Sequence, residues 1–463
     1  MSPERSDERW PKRLFLFSLL FLAFSLGVLF QRYQFPPYPW VYEAYRQFRY
    51  TPEYLLNDLG IKPTRHLVPA PAPAPNQAAA EPAPAGYEPA IEPLTLTPPE
   101  GILLQYRGDN VAVVRNHDPQ AMMAGQRLVF GLTPHTDTLF GAMLIDERGR
   151  LRHFWPIDYA KIDPDGPSPN NVYIHGTAVF ENGDIVTGFD SGEAFARLNS
   201  CGDIVWRRDH QHHHAVARSG SGEIATFRLR APEGRDEIVF YDAASGTPTR
   251  EPIYVLDDLF SRSEYTGILA IRDTEEGHRG KDPFHFNDLE FLARAHANAF
   301  PSFAAGDMLL SLRELNLVMV IDPDTFELKW WQHGPWHRQH DPDFLPDGTI
   351  SIYDNRRFQP PSRILRIDPA TRQLSTVYEG SETQHFYSAL RGKHQSLPNG
   401  NVLITESDAG RAFEVTSDGR VVWEFLSRYD EHNVAIVSEA IWLPADFFEP
   451  NQATCGDPVH ASD

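Results

Sequence analysis

The chain has 463 residues, 41% of them hydrophobic, enough for one large core or two ordinary ones. Acidic residues number 63 against 42 basic ones, a net charge of −21. This excludes a general attraction to nucleic-acid backbones, and an anionic substrate would need a local cationic pocket. Proline (39) and aromatic residues (12%) are abundant, which suits short strands and tight turns better than long helices.

In chain order, residues 1–13 carry Arg5, Arg9, Lys12 and Arg13 ahead of an uncharged apolar run. That run predicts a transmembrane anchor over 14–31, with the N-terminus in the cytoplasm by the positive-inside rule. No convincing small-x-small cleavage site follows, so an uncleaved anchor is preferred to a signal peptide. Tyr33, Tyr38 and Trp40 would sit at the interface. Residues 32–62 form a juxtamembrane segment. Residues 63–99 are rich in Pro and Ala and read as a semi-rigid spacer. The expected location is the inner membrane, single-pass, with the C-terminal domain in the periplasm. The domain runs over 100–450 and a tail over 451–463. Cys201 and Cys455 are the two cysteines; there is no CxxC, and both a single disulfide and two thiols remain open.

Inside the domain a unit recurs about six times. It consists of a strand, an Asx/Pro-Gly turn, two further strands, a tight Gly turn and a strand ending in an aromatic residue. Leu345-Pro346-Asp347-Gly348 and Leu397-Pro398-Asn399-Gly400 are two of the turns. The repeat predicts an all-β fold, a six-bladed β-propeller, behind the N-terminal transmembrane helix and Pro/Ala-rich linker.

Propeller blades converge on an axis, so residues that open the inner strands can share one hollow. His214 lies as far before Gly222 as His340 before Gly348 and His175 before Gly183. The run His210-Gln211-His212-His213-His214 supplies the second of these, with His214 favoured over His213 as the inward residue. His285 lies in Phe284-His285-Phe286-Asn287. Arg313 follows the apolar strand Leu309-Leu310-Ser311-Leu312, and a channel-facing guanidinium needs an anionic partner, either Glu314 or a substrate oxyanion.

These segments stand in a specific order: a His-His pair before a strand, His-x-Asn, Ser-x-Arg-x-x-Asn, then Gln-His-Asp ahead of Leu-Pro-Asp-Gly and Tyr-Asp-Asn. In this order the chain resembles the bacterial aryl sulfotransferases that use no nucleotide donor, in their membrane-anchored branch. The resemblance spans residues 130–425. It implies ping-pong transfer of a sulfuryl group from an aryl sulfate donor to a phenolic acceptor, with no cofactor and no metal. It implies that His340 is the nucleophile, carried as sulfohistidine, with His214, His285 and Arg313 around the sulfuryl group. His213, Asn287 and His394 are expected to bind substrate, and Lys393 and His394 stand where the family has small residues. Alternatives are a non-catalytic cell-envelope scaffold, a metal-binding propeller using His213, His214, His285 and His340, and, on a loose match at Asp322–Trp330, a quinone-dependent dehydrogenase.

Overall fold

The computed structural model describes residues 67–69, 102–106, 109–133, 136, 138–230, 235–262, 264, 265, 268, 284–429 and 433–448. The chain divides into two units, 1–64 and 65–463, and every described residue belongs to the second. The anchor over 14–31, the juxtamembrane segment, most of the spacer, the tail and Cys455 lie outside the described residues. Among the described residues no helix is long and apolar enough to cross a membrane. Cys201 is disulfide-bonded.

The Asx/Pro-Gly turns are built alike. In Phe180–Gly183, Leu345–Gly348 and Leu397–Gly400 the glycine N–H donates to the carbonyl three residues back, at 2.9, 3.1 and 2.9 Å. The glycine φ values are +84°, +85° and +87°, which a side chain would strain. Each turn folds two neighbouring strands into an antiparallel hairpin, and four strands make a blade.

Blade 2 consists of Tyr173–Val179, Ile185–Asp190, Ala194–Leu198 and Ile204–Asp209. Blade 3 has His212–Arg218, Glu223–Arg230, Arg235–Asp242 and Ile253–Tyr254. Blade 4 has Phe286–Phe291, Met308–Leu312, Leu317–Ile321 and Leu328–His333. Blade 5 has His340–Phe344, Ile350–Asp354, Arg363–Ile367 and Leu374–Glu379. Blade 6 runs Lys393–Ser396, Val402–Glu406, Arg411–Val415 and Val421–Ser427, then outward through Asp109–Asn116 and Ile102–Tyr106. Blade 1 takes Gln126–Leu132, Phe140–Ile145 and Leu151–Ile157 from the start of the domain and its inner strand, Val437–Leu443, from the end. Each inner strand touches the inner strands of the blades on either side, and blade 1 touches blades 2 and 6, so the ring closes. Within the expected spacer, Leu67–Pro69 pairs antiparallel with Asn433–Ala435.

The core lies between blade faces, filled by the apolar residues of each strand. Outer-strand tryptophans stitch neighbours: Trp155 donates to the Gly183 carbonyl (2.8 Å) and Trp206 to that of Ala243 (3.0 Å). Blades 1 and 6 share a buried ion pair, Arg127 Nη2 to Glu414 Oε2, at 2.6 Å.

A local irregularity positions the site. The first two strands of blades 1 to 5 lose register near the start of the inner strand, between Val437/Glu439, Ile174/Thr177, His213/Val216, Phe286/Asp288 and His340/Asp343. Positive φ values fall at the same places: Gly176 (+105°), His214 (+68°), His285 (+49°) and Asp341 (+50°). Such bulges re-aim side chains and are common beside active sites.

Candidate active site

A small pocket opens among these bulged ends, and His175, His214, Asn287, His340, Arg391 and Lys393 line it together with Thr177 and Glu439. His340 is buried. Its Nδ1 lies 2.7 Å from Asn355 Oδ1 and 3.2 Å from the Arg338 carbonyl oxygen. Asn355 Nδ2 donates to the carbonyls of Ser388 and Arg391, each at 2.7 Å. Both amide hydrogens are thereby used, so the amide oxygen must face the imidazole. Nδ1 then carries the hydrogen, and Nε2 presents a lone pair. Burial first, then the nearby Arg313 guanidinium, pulls the His340 pKa well below that of an ordinary histidine. The ring is neutral at physiological pH.

The three consecutive histidines of blade 3 do three different jobs because successive strand residues face opposite ways and the bulge at His214 turns the third aside. His212 is structural: it stacks on Phe195, its Nε2 meets the Tyr241 hydroxyl at 2.9 Å, and its Nδ1 lies 2.9 Å from the His210 carbonyl oxygen. His213 contacts His214, Nδ1 to Nδ1 at 2.5 Å. His214 lines the pocket, and its Nε2 lies 3.0 Å from His285 Nε2. His213, His214 and His285 thus form one hydrogen-bonded chain. Burial lowers the His214 pKa well below the usual value, helped by the neighbouring imidazoles.

Arg313 pairs with Glu314, Nη2 to Oε1 at 2.9 Å, and the same carboxylate also holds Arg338. Burial works against that carboxylate, but the two guanidiniums outweigh it and keep Glu314 below the usual carboxylate range. Arg313 therefore has the carboxylate partner and also stands close enough to His340 to depress its pKa.

Asn287 donates to the Gln339 carbonyl at 2.7 Å and leaves its buried Oδ1 without a partner. His394 is not part of the lining: its Nδ1 lies 3.0 Å from Asp341 Oδ2 and its Nε2 lies 2.8 Å from the Ser351 hydroxyl. Lys393 does reach the pocket. Its ammonium bridges Asp288 and Asp341 at 2.7 Å each. Farther along the axis an acidic group continues through Asp343 and Glu290. Burial, then neighbouring carboxylates, pushes the Asp343 pKa up; burial also raises that of Glu290. Burial pushes Asp341 the same way, yet Lys393 and His394 outweigh it and keep that carboxyl ionised. Asp341, Asp343 and His394 are the one set among the described residues whose ligand atoms lie within chelating reach of one another; His213, His214, His285 and His340 form no such set.

His175 and Arg391 are among the pocket residues that were not expected as site residues. His175 sits with its ring centroid 3.9 Å from that of His214. The signal was present, since its spacing to Gly183 matches those of His214 and His340 to their turn glycines. Arg391 lies over the Tyr173 ring at 4.4 Å and pairs with Asp408 at 3.1 Å. No motif flagged it.

Residues 257–428 match the family model described as arylsulfotransferase (ASST). That match supports an arylsulfotransferase family assignment. That assignment supports an aryl sulfotransferase-like function acting on small molecules. No curated protein matches the chain. Among solved structures it is similar to a protein of unknown function from Bacteroides caccae, with 12% identity over 69% of this chain and 98% of that one and a TM-score of 0.45. It is also similar to a chain of the nidogen/laminin complex (10%, 68% and 97%, TM-score 0.42). A third is virginiamycin B lyase from Staphylococcus aureus (11%, 56% and 71%, TM-score 0.33).

Proposed function

We propose that this protein moves a sulfuryl group from an aryl sulfate to a phenolic acceptor in two steps through His340, without a nucleotide donor. The observation that carries the reading is the Asn355 clamp, which leaves Nε2 of a buried neutral imidazole as a lone pair in a pocket that Arg391 and Lys393 also line.

In the first step His340 Nε2 attacks sulfur, the N–S bond forms and the S–O(aryl) bond breaks. Nδ1–H stays on the Asn355 and Arg338 oxygens, which stabilise the positive charge that develops on the ring. Arg313 offers a fork of donors to the equatorial sulfuryl oxygens, and His214 and His285 flank them. In the second step the acceptor attacks the same sulfur as its phenolate, the S–O bond forms as the N–S bond breaks, and the imidazole leaves neutral. Covalent capture splits one transfer into two in-line displacements. Asn287 and His213 support this arrangement, the first from the pocket wall and the second through His214. Residues 14–31 anchor the chain in the inner membrane, and the propeller works on the periplasmic side.

Purified protein incubated with p-nitrophenyl sulfate and phenol tests the reading. Expected results are phenyl sulfate as product and a sulfonated His340 peptide by mass spectrometry. Release of p-nitrophenol with inorganic sulfate alone would mean that water is the acceptor. No release and no sulfonation would overturn the proposal.

A further inference from the structure

Among the described residues the pocket holds an imidazole that the scheme above leaves unused. His175 is the third residue of the inner strand of blade 2, and His340 opens that of blade 5. In the closed ring of six blades these two are three steps apart in either direction, so they face each other across the axis. Both line the one pocket. An in-line displacement at sulfur needs its entering and leaving atoms on opposite sides. With Nε2 of His340 on one side, the aryl oxygen must point towards blade 2.

The other histidines are poorly placed to handle a proton there. His214 has both ring nitrogens engaged, with His213 and with His285. His175 differs. Its Nδ1 is buried and has no hydrogen-bond partner, and neither has the Nε of Arg391, which lines the same pocket. A buried polar atom without a partner is costly, and in a pocket it marks where a ligand atom belongs. Gly176 has a φ of +105°, and a Cβ there would lie 3.3 Å from the Ala215 nitrogen. The backbone behind His175 is thus seated against blade 3, which fixes the ring in the hollow.

We infer that His175 is a further catalytic residue, the acid and base at the aryl oxygen; the inference rests on the sulfuryl-transfer reading. As acid, protonated His175 gives its proton to the departing aryl oxygen as the S–O bond breaks. As base, the neutral ring then takes the proton of the incoming phenol as its oxygen bonds to sulfur. The proton borrowed in the first half is returned in the second, so the cycle needs no further reactant. Burial first, then the Arg391 guanidinium, holds the His175 pKa well below that of an ordinary histidine, and the negative charge that the bound sulfate brings works against both and lets the ring hold a proton.

The test compares donors that differ in their need for acid. His175→Gln and wild type are assayed with p-nitrophenyl sulfate, whose leaving group departs readily as an anion, and with phenyl sulfate, whose leaving group does not. Sulfonation of His340 is followed by rapid-quench mass spectrometry. The variant should lose about 100-fold or more with phenyl sulfate and under about threefold with p-nitrophenyl sulfate. Equal losses with both donors, in a variant with the wild-type circular dichroism and melting temperature, overturn the role of His175 alone. Loss of folding in His175→Gln moves the same comparison to His175→Asn. A wild-type protein that sulfonates His340 with neither donor overturns the transfer reading and this inference together.

Discussion

Asn355 holds His340 Nδ1 at 2.7 Å from an amide oxygen that cannot rotate away, because the carbonyls of Ser388 and Arg391 take both of its amide hydrogens. One side chain therefore fixes which nitrogen of the candidate nucleophile is free. Asn355→Asp should replace that dipole with a full negative charge and raise the imidazole pKa. Protonated His340 is no nucleophile, so the acid limb of kcat/KM should move to higher pH than in wild type. In wild type the limb should lie below the ordinary histidine value of about 6.5. A pH profile of kcat/KM with p-nitrophenyl sulfate checks both positions.

Arg313 is expected to act on the transition state more than on ground-state binding. Arg313→Met should lower kcat/KM about 10²–10³-fold, mostly in kcat. Arg313→Lys keeps the charge but loses the fork, and should recover only part of the rate. Steady-state kinetics of both variants separates the two contributions. Melting temperatures would show whether Glu314, left with Arg338, still folds normally.

The seam between blades 1 and 6 depends on a charge pair with no exposure on either side chain. Burial pulls the Arg127 pKa down and Glu414 pushes it back up. Glu414→Ala would leave a guanidinium buried among Trp423, Met123 and Gly125 without its counter-charge. The expected cost is about 3–5 kcal/mol in chemical denaturation. Replacing Arg127 and Glu414 together by apolar residues of similar volume should cost much less.

Glu290 is expected to carry a pH signature. Burial raises its carboxyl to about 8, while an unfolded glutamate titrates near 4.3. A raised folded pKa means the contribution is fully present below the unfolded value and is lost as pH rises through the folded one. Glu290→Gln removes the titration and keeps an acceptor for the Phe344 N–H, which donates to this side chain at 2.7 Å. The variant should gain stability over wild type as pH goes from 5 to 9, measured by thermal melts.

Much of the architecture was legible because the hairpin turns announce themselves. Gly183, Gly348 and Gly400 sit where a left-handed φ is required, and no other residue type marks such a place as well. The inner strand of blade 1 gave no such sign. Val437–Leu443 pairs with Gln126–Leu132 across most of the domain, and nothing local reports a partner so remote. The site was legible where a motif fell beside a turn, as at His340 and His214. It was not legible where the determinant is a bulge. Equal spacing to a glycine matched His175, His214 and His340, which do share the pocket, but the register breaks of blade 3 between His213 and Val216 and of blade 5 between His340 and Asp343 leave no mark in the sequence. The contacts of Lys393 with Asp288 and Asp341 were hidden for another reason: three different blades meet there only when the ring is complete.

That completion sets an order on biosynthesis. Gln126–Leu132 leaves the ribosome early but waits with one edge unsatisfied until Val437–Leu443 arrives. The same late strand brings Ser438 and Glu439 to the pocket wall. A nascent chain stalled just before it would hold five finished blades and an open flank. It would offer a sticky edge to other chains before it could offer a hollow to any substrate.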